Sequence, residues 1–161
     1  MKKPTKVLFV CLGNICRSPS AEAVFKGLVE KNGENDLFEI DSAGTSDYHE
    51  GQPADERMQR HALKRKINLT SISRPFLPET DFDKFDFIVA MDQQNLNDLR
   101  FMARNRNDLN KLSLMTDYCS HFHHNHVPDP YYGGADGFEL VLDILEDASE
   151  GLYEKIKTQS E

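Results

Sequence analysis

Cysteine is scarce in this sequence, with three in 161 residues. That is too few for the disulfide framework of a small secreted domain, so a reducing, cytoplasmic setting is expected. Long apolar runs are missing. None is long enough to span a bilayer, and the apolar stretch ahead of Gly13 is too short for the core of a signal peptide. Positive charge is in deficit: 19 Lys and Arg against 27 Asp and Glu give a net charge of −8. This argues against a general nucleic-acid binder, although it leaves room for a locally positive pocket. Repeats, low-complexity tracts and dividing linkers are also absent. With 39% hydrophobic residues, residues 1–161 are therefore expected to form one domain with an ordinary core.

The patterning alternates strands and helices. Val7, Leu8, Phe9 and Val10 form a short continuous apolar run, as in a strand buried on both faces. Ala21, Val24, Phe25, Leu28 and Val29 then recur at helical spacing. Ser18 followed by Pro19 predicts the N-cap and first turn of that helix. Further strands are expected over 38–42, 85–90 and 112–115, and helices over 54–66 and 93–103. Met58, Ala62 and Leu63 are expected to face inward from the 54–66 helix. A last helix shows Phe138, Val141, Leu142, Leu145, Leu152 and Ile156 along one face. Such alternation predicts an α/β fold with a parallel sheet covered on both sides, its ligand beyond the strand C-termini.

The first strand runs directly into Cys11-Leu12-Gly13-Asn14-Ile15-Cys16-Arg17-Ser18. A strand, a glycine-containing loop and a helix N-terminus together make an anion site, because backbone N–H groups converge and the helix dipole adds partial positive charge. Curled around an anion, this loop brings the Cys11 sulfur beneath it and the Arg17 guanidinium beside it. Arg17 can then hold two phosphate oxygens through a bidentate fork, which Lys cannot reproduce. The donors that bind the anion also stabilise a Cys11 thiolate. A cysteine ending an apolar strand is ordinarily just a small buried hydrophobe. The flanking strand, the Gly13-Asn14 pair and the amphipathic helix together favour chemistry.

The segment 10–19 resembles the signature loop of low-molecular-weight protein tyrosine phosphatases. The similarity continues through Asp41-Ser42-Ala43-Gly44-Thr45, His49-Glu50-Gly51-Gln52-Pro53 and Ala90-Met91-Asp92. It also includes Val127-Pro128-Asp129-Pro130-Tyr131-Tyr132-Gly133-Gly134 and Gly137-Phe138-Glu139. These blocks run in the family's order over residues 6 to about 155. The resemblance implies a four-stranded parallel sheet, order 2-1-3-4, with helices on both faces and a phosphate-binding loop after strand 1. It implies a monomer or weak dimer without a cofactor, acting on phosphotyrosine-containing proteins and small aryl phosphates through a cysteinyl-phosphate intermediate.

It also implies individual roles. Cys11 is the nucleophile, Arg17 the phosphate clamp and Asp129 the general acid, and Leu12, Gly13, Asn14, Ile15, Cys16 and Ser18 complete the loop. A phenolate leaving group has a conjugate acid of pKa about 10, so a positioned acid is valuable. Pro128 and Pro130 restrict the backbone around Asp129. Ser18 resembles the hydroxyl that bonds the thiolate, and it can cap the helix as well. Asn14 suits a positive-φ position and can pin the loop, with Ser42 holding Asn14. Asp92 either orients Arg17 or caps the next helix. Leu12, Tyr48, Tyr131 and Tyr132 resemble walls for a flat ring. Cys16 resembles a redox partner of Cys11, with Cys119 as a competitor.

Similar families part from this pattern. Thioredoxin-coupled arsenate reductases relay oxidation through two further cysteines, a relay that looks incomplete here. Arginine phosphatases carry Thr where this chain has Ile15, so the apolar group favours an aryl ester. Relatives paired with exopolysaccharide kinases generally lack the double tyrosine. One segment has no family role: Cys119, His121, His123, His124 and His126 fall within eight residues. These side chains suit Zn²⁺ or Cu²⁺, but their spacing matches no specific metal motif, and a solvated loop is expected instead. The basic residues Arg57, Arg60, Lys64, Arg65, Lys66, Arg100, Arg104 and Arg106 are expected to solvate helix faces.

Overall fold

A computed structural model describes residues 3–160, apart from the side chains of Tyr132 and Ser160. β1 (Thr5–Cys11) is a central strand of a four-stranded parallel sheet in the order β2-β1-β3-β4, with β2 at Phe38–Gly44, β3 at Phe87–Ala90 and β4 at Leu112–Leu114. Both faces of β1 are covered, which is why its apolar run does not alternate with polar residues. Val7 and Phe9 pack toward α1 (Arg17–Lys31) and α6 (Gly134–Ser160), joined by Met58 and Ala62 of α2 (Glu56–Leu63). Leu8 and Val10 face a second cluster with Phe82 of α3 (Pro78–Lys84) and Leu96 and Leu99 of α4 (Gln93–Met102). The six positions expected on the apolar face of the last helix are all buried.

Cys11 pairs in register with Gly44, Val10 with Ala90, and Ala90 with Leu114. The four strands therefore end at one edge, and the loops that leave them meet there.

Several boundaries differ from the pattern-based expectation. β3 begins at Phe87 rather than residue 85, because Phe85 is the C-cap of α3 and is buried there, not in the ladder. β4 stops at Leu114, and Met115 opens a 3₁₀ turn. α2 is shorter than expected, and Leu63 is exposed. α3 and α5 (Arg106–Asn110) fall outside the expected elements, being too short to display a 3.6-residue period.

α6 sits unusually close to the 3₁₀ turn Met115–Tyr118. A Cβ on Gly151 would lie 1.9 Å from the Tyr118 carbonyl oxygen, so helix and turn meet backbone to backbone. Gly151→Ala is expected to destabilise the fold by about 3 kcal/mol, the upper end of ordinary overpacking costs. Denaturant unfolding measures this directly, and an unchanged midpoint would show that the two backbones separate freely.

Candidate active site

The segment from Cys11 to Arg17 curls where β1 ends, and α1 begins at Arg17 with Cys16 in the cap position. The curl requires a left-handed residue, and Asn14 supplies it at φ +55°. Its side chain then pins the loop. Nδ2 donates to Ser18 Oγ at 2.8 Å and Ser42 Oγ at 2.9 Å, while Oδ1 accepts the Arg74 N–H at 3.0 Å. The Ser42 hydroxyl donates in turn to Glu22 Oε1 at 2.6 Å. Ser18 Oγ, which accepts from the Asn14 amide, lies 3.0 Å from Cys11 Sγ and 3.4 Å from the Ala43 carbonyl oxygen, so its hydroxyl can donate to either. The Asn14 backbone N–H donates to the same sulfur at 3.3 Å. One backbone N–H and one hydroxyl thus reach the same buried sulfur.

Ser18 lies beside the Cys11 sulfur and is not the N-cap: it sits inside the first turn of α1, and among the described residues no side chain caps that helix. Asp92 fills both of the roles considered for it. Its Oδ2 holds Arg17 Nη1 at 2.7 Å, while its Oδ1 caps α4 by accepting the Asn95 N–H at 2.7 Å. The Val127 carbonyl accepts from the same Arg17 nitrogen at 3.2 Å. Burial alone would lower the Arg17 pKa, but the neighbouring Cys11 and Asp92 charges and the Asp92 hydrogen bond hold it above the ordinary value. Among the described residues, its Nε and Nη2 carry no hydrogen bond, leaving one edge of the fork for a ligand.

Around this loop lies a cavity of about 340 Å³ lined by Cys11, Leu12, Gly13, Ile15, Cys16, Arg17, Ser46, Tyr48, His49, Asp129, Pro130 and Tyr131. The floor is polar and buried, whereas Leu12, Tyr48 and Tyr131 stand exposed at the rim. Asp129 caps the short 3₁₀ turn Pro130–Tyr132, its Oδ1 accepting the Tyr131 N–H at 3.0 Å. The fold thus brings Asp129 to the cavity that holds Cys11 and Arg17. The Tyr132 side chain lies outside the described residues.

The family-model comparison matches residues 6–161 to the low molecular weight phosphotyrosine protein phosphatase model. The chain belongs to this family. A low molecular weight protein-tyrosine-phosphatase of Streptomyces coelicolor is 43% identical over 158 residues, covering 97% of this chain and 96% of its own length. A crystal structure of a protein tyrosine phosphatase from Entamoeba histolytica, with Hepes in its active site, superposes with TM-score 0.93 at 46% identity. It covers 98% of this chain and 99% of that one. A drosophila arginine phosphatase also superposes, with TM-score 0.87 at 33% identity over 95% of this chain and 98% of that one. Low molecular weight phosphatases and an arginine phosphatase thus share the architecture found here.

Several site residues of this family member were not singled out from sequence. A Cβ on Gly13 would lie 3.0 Å from the His49 ring, so His49 packs directly over the loop backbone. The His49-Glu50-Gly51-Gln52-Pro53 block was the available signal. Gly44 must lack a side chain because a Cβ would sit 2.8 Å from the Leu12 carbonyl oxygen. Arg74 forks onto Asp81 at 3.0 and 3.1 Å and reaches Asp41 through Nε at 3.2 Å, fixing the segment that carries its N–H to Asn14.

The solvated-face expectation for the basic residues needs correction at three positions. Arg65 ties α2 to Glu139, Asp143 and Glu146 of α6. Arg104 joins Asp83 to Asp108, and Arg57 lies over the Tyr131 and Phe138 rings. The histidine-rich segment is a loop pinned by Asp147, which accepts the N–H groups of Ser120, His121 and Phe122. Burial pushes the Asp147 carboxyl up, but these donors outweigh it and hold it well below the ordinary range. Among the described residues, no group of three or more His, Cys, Asp or Glu side chains gathers in a metal-holding arrangement.

Proposed function

We propose that the protein hydrolyses phosphotyrosine in protein substrates through a cysteinyl-phosphate intermediate. The observation that carries this reading is the shared cavity: a donor-supported Cys11 sulfur at the floor, the Arg17 fork beside it and Asp129 at the mouth. The phosphate dianion docks on the loop N–H groups and the free edge of Arg17. The Cys11 thiolate attacks phosphorus in line, the P–O bond to the phenol breaks, and Asp129 donates a proton to the departing oxygen. In the second half, the Asp129 carboxylate takes a proton from water as that water attacks phosphorus. The S–P bond then breaks, releasing phosphate and the thiolate. Depth favours tyrosine over serine, because Cys11 is only 3% exposed while the rim residues project outward. A long aryl ester spans that depth, and a short seryl ester does not.

Ile15 and the aromatic rim support the aryl reading over a guanidinium phosphate. A panel of phosphotyrosine, phosphoserine and phosphoarginine peptides, run beside arsenate, tests it. Phosphotyrosine is expected to be hydrolysed at least tenfold faster than the others, a ratio within reach of apolar pocket discrimination. Preferential turnover of phosphoarginine, or reduction of arsenate, would overturn the substrate assignment.

The same cavity supports a protective role for Cys16. Peroxide oxidises the Cys11 thiolate to the sulfenic acid, and Cys16 then attacks that sulfur, expelling its oxygen as water and closing a disulfide. Burial, together with the charges of Asp55 and Cys11, pushes the Cys16 thiol well up, so it rests protonated. Oxidation of Cys11 removes one of those charges and so eases ionisation of Cys16. Cys119 is a poor competitor because it lies outside the cavity that holds Cys11 and Cys16, its thiol directed at the Ile144 carbonyl oxygen. After mild peroxide, mass spectrometry is expected to find a Cys11–Cys16 bridge, with activity restored by thiol in wild type and poorly restored in Cys16→Ser. Equal recovery in both, or a bridge to Cys119 alone, removes this role.

A further inference from the structure

The phosphate loop and the acid loop are joined by one residue outside both. Asp55 donates its backbone N–H to the Ile15 carbonyl at 2.6 Å, which fixes it to the loop around Cys11. Its side chain is only 9% exposed. Oδ1 accepts the Met58 N–H at 3.1 Å and caps α2, while Oδ2 accepts the Tyr131 hydroxyl at 3.3 Å. Tyr131 in turn donates its own N–H to Asp129 Oδ1. Arg57 closes the assembly: its Nη2 lies 3.4 Å from Asp55 Oδ2, and its guanidinium stands 4.7 Å from the Tyr131 ring centre and 5.1 Å from that of Phe138. The path from the nucleophile loop to the acid is therefore Ile15, Asp55, Tyr131, Asp129, with Arg57 as a brace.

We propose that Asp55 is a positioning residue, acting through Tyr131 to hold Asp129 at its working distance from the phosphate loop. This inference rests on the general-acid reading of Asp129. Among the described residues, few other ties restrain Asp129, which is exposed and caps a single turn of 3₁₀ helix. The backbone of that turn rests on α6, where a Cβ on Gly137 would come within 3.1 Å of the Pro130 carbonyl oxygen. That contact seats the turn, and the Tyr131–Asp55 bond sets its rotation relative to Ile15. The Tyr131 hydroxyl is suited to the task because burial and the Asp55 charge raise its pKa, so it remains a donor where the enzyme works. Small misplacements of a catalytic group cost rate steeply, so a modest bond has a visible effect.

The test compares Asp55→Ser, Tyr131→Phe, their double variant and Asp129→Ala on a series of phenyl phosphates of graded leaving-group pKa. Serine keeps the helix cap but is too short to reach the Tyr131 hydroxyl. Phenylalanine keeps the ring beneath Arg57 and the rim wall. Each single variant is expected to lose on the order of tenfold in kcat/KM for poor leaving groups and little for activated ones. The double variant should lose no more than the worse single, because both break one link. Vanadate affinity should remain within about twofold of wild type, a readout that general loosening of the fold would shift. Equal losses across leaving groups, or additive losses in the double variant, overturn the proposal while leaving Asp129 in place. If Asp129→Ala itself shows no dependence on the leaving group, the acid assignment fails and the positioning role fails with it.

Discussion

Cys11→Ser is expected to lose more than about 10⁴-fold in turnover of an aryl phosphate, as removal of an obligatory nucleophile does elsewhere. The physical reason lies in the donors around the sulfur. The Asn14 N–H donates to Sγ and the Ser18 hydroxyl lies within reach of it, and among the described residues no carboxylate or imidazole is hydrogen-bonded to it as a base. That setting offers no acceptor for a proton leaving the attacking atom. It does nothing to remove the tightly held proton of a serine hydroxyl. The loop N–H groups and Arg17 stay in place, so binding of inorganic phosphate or vanadate should survive, measurable by calorimetry. Near-normal turnover in the variant would remove the cysteinyl-phosphate mechanism altogether.

That loop could be read from sequence because its parts are contiguous. One strand end, one turn and one helix start supply the sulfur, the guanidinium and the anion cradle, and each part leaves a local pattern. Asp129 left none: an acidic residue between two prolines is an ordinary turn, and only the family resemblance singled it out. Asp55, Arg74 and Glu22 were not legible at all. Their connections to the site run through Tyr131, Asn14 and Ser42, contacts that exist only once distant segments have packed. Local reading also erred where tertiary structure overrode it. Ser18-Pro19 has the pattern of a cap, yet the left-handed turn at Asn14 starts the helix two residues earlier and leaves the hydroxyl beside Cys11. Phe85 fits a strand by type and burial, yet it packs as the end of a helix.

Arg17→Lys is expected to lose about 10³-fold in kcat, the upper range for removing a donor aimed at transition-state charge. Charge alone does not explain the position. Arg17 is 9% exposed, and one terminal nitrogen serves both Asp92 and the Val127 carbonyl while the other edge faces the cavity. A lysine ammonium that bonds Asp92 has nothing left for two phosphate oxygens, and if it turns to the phosphate it strands the Asp92 carboxylate. Burial lowers the pKa of an amine far more readily than that of a guanidinium, so the charge itself is less secure. The loss should appear in vanadate affinity as well as in rate, which separates this variant from Asp129→Ala. Retention of more than about a tenth of wild-type kcat would show that the planar fork is dispensable.

The position of β1 has a consequence for the time at which activity can arise. This strand and its loop are made before the other three strands, yet they occupy the middle of the sheet, with β1 aligned against Phe87 through Val7. Arg17 finds its partners only at Asp92 and Val127, and the acid loop is seated on α6. A ribosome that has released the chain only as far as residue 100 has therefore exposed the Cys11 thiol without the segments that complete its pocket. Pairings across such long loops are slow to form. The nucleophile is thus translated well before the groups that hold its clamp and seat its acid.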